Sequence, residues 1–106
     1  MAIGMDDRGK AFENKWAHDA ELRFKVEARR NRLLGAWAGE KKGLSGAAAE
    51  DFIVSVIAAD FQEAGDEDVF RKLRAELDAS VSDAEIREKM RECLNTAVGE
   101  VGKDTR

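Results

Sequence analysis

The sequence predicts an all-α protein, namely a small four-helix bundle that follows a flexible or partly helical N-terminal arm. Charged residues make up 38% of the 106 residues, and the chain contains neither proline nor tyrosine. This composition favours well-solvated helices over sheets. Apolar residues also recur at helical spacing in four stretches that can cover one another's apolar faces. A chain of this length can bury one modest core, so we expect an arm at residues 1–18 and one bundle at residues 19–106.

The first helical stretch, which ends near Glu40, changes character along its length. From Asp19 onwards it carries an apolar face formed by Leu22, Val26, Leu33, Leu34 and Trp37. Before Asp19, the large aromatic side chains of Phe12 and Trp16 stand among charged residues. A short segment of this kind is marginal as a free helix. We therefore interpret it as an arm, with both aromatic rings exposed, that becomes ordered on a partner.

Two shorter helices are expected next. Ser45 is a suitable N-cap for a second helix over residues 46–64, which the following Gly65 would end. Asp66 is expected to cap a third helix over residues 67–79, because acidic side chains in its first turn complement the helix dipole.

The fourth helix has the clearest start signal. Ser82 and Glu85 fit a capping box for a helix over residues 83–101, and Gly99 and Gly102 predict that this helix frays at its end. The apolar positions of the four helices together predict a core that contains Leu33, Trp37, Phe52, Val56, Phe61, Leu73, Met90 and Leu94.

Three glycines, Gly35, Gly39 and Gly43, repeat at intervals of four in the first helical stretch. This spacing occurs where membrane helices pack closely, but no apolar run of about 18 residues surrounds it. We interpret it as a close helix crossing or as the fraying end of a helix. The polar N-terminus also lacks the apolar centre of a signal peptide. The sequence therefore predicts a soluble, cytoplasmic protein without direct membrane insertion.

Residues able to perform chemistry are sparse. His18 is the only histidine and Cys93 the only cysteine, and they belong to different helical stretches. Cys93 lies on an apolar face, so we expect it in the core. His18 has no neighbour at metal-ligand spacing and is interpreted as a surface or contact residue. Without a phosphate-binding loop or a paired acid and base, the sequence predicts neither an enzyme nor a metal site nor a cofactor.

Charge is distributed unevenly along the chain. The first 42 residues contain ten Lys and Arg against seven Asp and Glu, or +3, whereas the remaining 64 contain eight against fifteen, or −7. The net acidity argues against nucleic acid as a partner. Arg29, Arg30 and Arg32 concentrate positive charge, and they fit either a contact with a protein or an exposed face. An exposed face would carry pairs four residues apart, such as Asp19–Arg23 and Glu21–Lys25.

A series of short motifs extends over almost the whole chain, beginning with Asp6-Asp7-Arg8, Ala11-Phe12-Glu13, Ala17-His18-Asp19 and Ala28-Arg29-Arg30-Asn31-Arg32-Leu33-Leu34-Gly35. Later motifs are Val56-Ile57-Ala58-Ala59-Asp60-Phe61, Glu63-Ala64-Gly65, Glu67-Asp68-Val69, and Ile86-Arg87 with Lys89-Met90. In this order the motifs resemble the zeta subunit of the rotary ATP synthase from alphaproteobacteria, and the resemblance covers residues 6–101.

The resemblance implies a four-helix protein that inhibits ATP hydrolysis by the catalytic head of the synthase. In that family an N-terminal arm enters a catalytic interface as a helix, and the bundle follows it. Carried onto this sequence, the partner-binding residues are Asp6, Asp7, Arg8, Ala11, Phe12, Glu13, Lys15, Trp16, His18 and Asp19. Arg29, Arg30 and Arg32 would provide a secondary contact or receive the phosphates of a nucleotide. We expect the free protein to be a monomer.

Two arm residues differ from the family pattern. Gly9 stands where the family usually has glutamate, which disfavours helix in the arm, and Trp16 stands where it usually has phenylalanine, which enlarges the apolar anchor. Two other functions stay open at this point. One is a small adaptor that uses the same arm on an unrelated protein, and the other is a bundle that binds a nucleotide through its arginines.

Overall fold

The computed structural model describes residues 15–60 and 65–104, and in this part of the chain the all-α class is confirmed. Four helices follow one another: α1 over Ala20–Lys41, α2 over Gly46–Ala59, α3 over Glu67–Glu76 and α4 over Asp83–Asp104. α1 packs along α2 and α4, while α3 packs against α2 and α4 and completes the bundle. Among the described residues, none of the four helices has the length and apolar character of a membrane-spanning segment.

The helices begin at the capping residues that the sequence indicated. Ser45 and Asp66 are the N-cap residues of α2 and α3, although neither side chain bonds to the helix backbone. Before α4, Oγ of Ser82 accepts a hydrogen bond from the backbone N–H of Glu85 at 3.1 Å, which is half of the predicted capping box.

The end of α1 shows why the glycine-rich stretch stops the helix. Gly43 has a φ of +74°, a left-handed conformation that glycine adopts without steric cost. The backbone N–H of Leu44 donates to the carbonyl of Gly39 at 2.9 Å, and that of Gly43 donates to the carbonyl of Glu40 at 3.0 Å. These two bonds form a Schellman motif, which satisfies the last carbonyls of the helix.

The next two helices are shorter than predicted. α2 ends at Ala59 rather than at residue 64, and α3 ends at Glu76 rather than at residue 79. Residues 61–64 themselves lie outside the described residues. The early end of α2 coincides with a tertiary ion pair made by its C-cap residue, Asp60, and the backbone of Leu77 after α3 is extended.

The last helix is longer than predicted. α4 continues to Asp104 through Gly99 and Gly102, where we expected fraying. Arg29 of α1 explains the difference, because its guanidinium pairs with Glu100 at 3.0 Å and with Asp104 at 3.1 Å. Both carboxylates belong to the last turns of α4, so α1 holds the end of that helix in place.

The core lies between the four helices, and half of the predicted core residues are buried in it: Phe52, Val56, Leu73 and Met90. Cys93 is buried in the same cluster, as predicted. Three further predictions need correction, because these side chains pack against the core from its edge and are only partly buried: Leu33, Trp37 and Leu94. Large side chains at the margin of a small core reach from the interior to solvent. Phe61 lies outside the described residues.

The crossing of α1 and α2 depends on a glycine. A methyl group placed on Gly35 would lie 2.9 Å from the Cα atom of Ile53 and 3.2 Å from its Cγ1 atom. At Gly39, one turn further, the same methyl group would lie 3.6 Å from the ring of Phe52, an ordinary contact distance. The interpretation of this spacing as a close helix crossing is therefore confirmed at Gly35.

Candidate functional site

The structure describes only the end of the predicted partner-binding arm. Lys15, Trp16, His18 and Asp19 are described. The other predicted arm residues lie outside the described residues: Asp6, Asp7, Arg8, Ala11, Phe12 and Glu13. The geometry of the candidate site is therefore that of the junction between the arm and the bundle.

The chain turns sharply at this junction. Lys15 and Trp16 have helical backbone, and the backbone N–H groups of His18 and Asp19 both donate to the carbonyl of Lys15, at 3.0 and 3.2 Å. Asp19 is extended, with φ −107° and ψ 115°, and its carboxylate accepts the backbone N–H of Leu22 at 3.0 Å. A residue that caps a helix in this way stands outside it. The arm and α1 are therefore separate segments in this structure.

Two charged residues at the junction differ from their predicted roles. Asp19 was expected to form an ion pair with Arg23, but its carboxylate caps α1 instead. Arg23 donates to the backbone carbonyl of Ala17 at 3.4 Å and so contacts the turn. The predicted pair between Glu21 and Lys25 is present at 3.3 Å on the exposed side of α1.

Trp16 packs on the bundle, which corrects the expectation that it is exposed. Its ring is partly buried against a small apolar cluster at the end of the bundle where α1 starts and α4 ends. Val26 of α1 and Ala97 and Val101 of α4 are the buried members of that cluster. The sequence contained the signal, because Trp16 falls on the same helical face as Val26. The sequence pattern did not show that α4, some eighty residues further along the chain, provides the surface on which Trp16 packs.

The three arginines of the basic stretch point in different directions. Arg29 pairs with Glu100 and Asp104 of α4, and these hydrogen bonds raise the pKa of its guanidinium. Arg32 donates through both terminal nitrogens to Glu50 of α2, at 3.2 Å each. Arg30 turns inward and is buried. The interpretation of this stretch as an exposed face is therefore wrong for Arg30.

Arg30 is buried, with 4% of its surface exposed. Its Nε donates to Asn31 at 2.9 Å, and its terminal nitrogens lie 3.4 Å from the carboxylate of Asp60 and 3.7 Å from that of Asp66. One cation thus joins α1 to the end of α2 and the start of α3. The sequence did not predict the burial of Arg30, because a charge is buried only where its partners are present, and the sequence pattern does not show those partners.

Two carboxyl groups beside Arg30 hold their protons more tightly than usual. Burial raises the pKa of Glu27, and the charge of Asp60 raises it further. Burial likewise raises the pKa of Asp60, against the lowering effect of hydrogen bonding from Asn31 and of the charge of Arg30. Arg30 is thus surrounded by three acidic side chains, Glu27, Asp60 and Asp66. This group has no excess positive charge that could bind a phosphate.

An open groove of about 510 Å³ runs beside Arg29 and Arg32. The groove is lined by Phe24, Lys25, Ala28, Arg29, Arg32, Ile57, Val101 and Asp104. The arginine heads at its rim are engaged by carboxylates of the chain itself. A nucleotide would therefore have to displace internal ion pairs. The geometry gives no support to the nucleotide alternative.

No centre for covalent or metal chemistry is formed by the part of the chain that the structure describes. Burial raises the pKa of Cys93, so the nucleophilic thiolate is disfavoured. Residues 15–60 and 65–104 contain no group of three or more His, Cys, Asp or Glu side chains that could hold a metal ion. The candidate functional features among the described residues are the arm junction and the surface on which Trp16 packs.

Comparison with known families accounts for nearly the whole chain. A family model described as ATPase inhibitor subunit zeta matches residues 1–100. The match includes the arm as well as all but the last residues of the bundle. No curated protein matches the chain.

Proposed function

The chain belongs to the ATPase inhibitor subunit zeta family, and from this premise we propose that it inhibits ATP hydrolysis by the catalytic head of a rotary ATP synthase. The N-terminal arm inserts as a helix into a catalytic interface, and the bundle stays outside. The protein is a regulatory subunit rather than an enzyme, and it reaches the synthase from the cytoplasmic side. The observation that carries this proposal is the family match over both arm and bundle.

The mechanism requires no chemistry from the inhibitor. A rotary catalyst must open and close its catalytic interfaces in turn, so a rod wedged into one interface stops turnover. A helix over residues 6–19 would be about 20 Å long, because each residue advances 1.5 Å. Phe12 and Trp16 would lie one turn apart on it and anchor its apolar side. Large aromatic side chains are the usual source of binding energy at such contacts.

The geometry at the junction supports a division of labour between arm and bundle. The four helices form a core of their own, and α1 begins after its N-cap residue, Asp19. Trp16, near the end of the arm, packs beside the end of α4. Among the described residues, the larger apolar cluster is formed by the helices and the connections between them, without Lys15 or Trp16. An arm with this independence can bind elsewhere while the bundle remains folded.

The test is to titrate the purified catalytic head with the full chain and with a variant that lacks residues 1–14, while ATP hydrolysis is measured. The variant keeps Trp16 and the cap at Asp19, so its thermal midpoint should stay within a few degrees of that of the full chain. We expect the full chain to inhibit and the variant to be inactive. If the variant inhibited as strongly as the full chain, the bundle would be the inhibitor and the arm mechanism would be refuted.

A further inference from the structure

Trp16 has a defined position in the free protein, although the proposed function gives it a second position in the complex. We propose that the apolar end of the bundle is an intramolecular docking surface for Trp16 and that this docking competes with insertion of the arm into the catalytic head. The inference rests on the proposed function. The Trp16 docking surface is the buried cluster of Val26, Ala97 and Val101, together with Leu22, Leu94 and Val98, which pack against the same cluster beside Trp16.

In the structure, the side chain of Trp16 covers this surface. Val26, Ala97 and Val101 are 0%, 0% and 3% exposed, and Trp16 is among the partly buried side chains packed against them. An indole ring that covers such a cluster removes apolar area from water on both sides of the contact. Withdrawing Trp16 from the surface would return part of that area to solvent.

The backbone between Trp16 and α1 has a non-helical conformation that accompanies the docked position of the Trp16 ring. The turn formed by the N–H groups of His18 and Asp19 on the carbonyl of Lys15 separates Trp16 from the start of α1, and Arg23 contacts the same turn through the carbonyl of Ala17. A helix that continued from the arm through Asp19 would require helical backbone there. Asp19 is extended instead, and its carboxylate holds the N–H of Leu22. Insertion of residues 6–19 as one helix therefore requires the cap and the docked ring to be released together.

Competition of this kind lowers the apparent affinity for the partner by the fraction of molecules in which Trp16 is free. If about 70–90% of molecules hold Trp16 on the docking surface, weakening that surface should raise the apparent affinity about three- to tenfold. The bundle would thereby lower the apparent affinity of the arm for the catalytic head, without any change in the arm sequence.

The test uses the full chain in a Trp37→Phe background, so that Trp16 is the only fluorophore of its kind. Val98→Asn introduces a polar group into the docking surface, at a partly buried position of α4 that packs against the same cluster as Trp16. The matched control is Val54→Asn, which makes the same change at a valine of α2 that is 53% exposed. For each protein, Trp16 emission and its quenching by acrylamide are measured first, and the inhibition constant against the catalytic head is measured second.

We expect Val98→Asn to shift Trp16 emission to longer wavelength, to increase quenching and to lower the inhibition constant about three- to tenfold. Val54→Asn should change neither quantity. If Val98→Asn lowered the folded fraction, Leu22→Gln would repeat the test from α1, because glutamine is a good helix former.

Three results would overturn the inference in distinguishable ways. Unchanged Trp16 emission in both docking-surface variants would show that the ring is not docked in solution. A shifted emission with an unchanged or raised inhibition constant would show that docking does not compete with insertion, while the proposed function would survive. If the wild-type chain failed to inhibit, the proposed function would be refuted and the competition with it.

Discussion

The guanidinium of Arg30 in α1 lies 3.4 Å from the carboxylate of Asp60, the C-cap residue of α2, and the two side chains retain 5% and 11% of their accessible surface. The same guanidinium lies 3.7 Å from the carboxylate of Asp66, the N-cap residue of α3. A single buried cation therefore fixes both ends of the connection between α2 and α3 to α1. Such a pair makes the bundle sensitive to the loss of one partner, because the remaining charge is then buried without compensation.

Arg30→Met should destabilise the protein by about 3–5 kcal/mol, since it leaves Asp60 buried without its cation. The matched control is Arg32→Met. Arg32 pairs with Glu50 on the surface, where both side chains are about half exposed, so its loss should cost no more than about 1 kcal/mol. Urea unfolding at pH 7 measures both free energies. Equal losses for the two variants would contradict the assignment of Arg30 as a buried structural cation.

Glu27→Gln should stabilise the protein at pH 7, and the gain should disappear on acidification. Burial raises the pKa of Glu27 from 4.5 in the folded state. The folded state therefore binds this proton more tightly than the unfolded chain, and the associated stability is present below pH 4.5 and is lost as the pH rises through the raised pKa. Glutamine mimics the protonated form at every pH. Thermal unfolding of wild type and variant between pH 4 and pH 7 checks this.

Glu76→Gln should show the opposite pH dependence and serves as the counterpart. Hydrogen bonds from Lys42 and Lys72 lower the pKa of Glu76, and Lys72 lies 2.9 Å from its carboxylate. The stability that this carboxylate contributes is present above pH 4.5 and is lost as the pH falls through the lowered pKa. The variant should therefore be less stable than wild type at pH 7 and approach it in acid. The same pH series, extended below pH 4, measures it, and parallel curves for the two variants would refute both assignments.

Gly35→Ala should destabilise the bundle by about 1–3 kcal/mol, because the added methyl group would meet the backbone of Ile53 at 2.9 Å and push α1 away from α2. Gly99→Ala makes the same change in α4, where no described residue other than the adjacent residues and the nearby backbone of α4 lies within 4 Å of the new methyl group. There the higher helix propensity of alanine should stabilise the protein by up to about 1 kcal/mol. Thermal midpoints that moved in the same direction would argue against a close crossing at Gly35.

Local signals in the sequence predicted the helices of the bundle. The features that the sequence did not predict depend on contacts between residues that are far apart in the chain. The helix starts at Ser45, Asp66 and Ser82 depend on a few neighbouring residues, and the sequence contains those residues. The burial of Arg30 depends on Asp60, which lies thirty positions further along the chain. Periodicity cannot supply such a partner.

At the candidate site the same distinction applies to Trp16 and to the end of α4. The sequence predicted an exposed Trp16 ring, but the ring packs against residues of α4 that come next to it only in the folded chain. Likewise, the glycines near the end of α4 indicated fraying, and Arg29 of α1 overrides that local preference by pairing with Glu100 and Asp104.

Trp16→Ala should weaken inhibition of the catalytic head at least tenfold, which corresponds to about 1.4 kcal/mol, because the arm loses its largest apolar anchor. It should also lower the thermal midpoint, since the ring covers the cluster around Val26 and Val101 in the free protein. Trp37→Ala is the control, because Trp37 is partly buried against the larger cluster. It should be destabilising without any change in the inhibition constant, measured at a temperature where both variants are folded. Equal losses of inhibition would mean that Trp16 acts through stability alone.

Gly9→Glu should strengthen inhibition by up to about fivefold. Residue 9 lies outside the described residues, but it falls within the segment 6–19 that is proposed to insert as a helix. Glycine disfavours a helix by about 1 kcal/mol relative to a good helix former, and an arm that becomes ordered on binding must meet that cost from its binding energy. Gly4→Ala is the matched control, since it also removes a glycine but precedes the inserted segment, and it should leave the inhibition constant unchanged. The two constants are measured against the same preparation of the catalytic head. Weaker inhibition by Gly9→Glu would indicate that the arm binds in a conformation other than a helix at this position, or that the partner approaches its backbone too closely for a side chain.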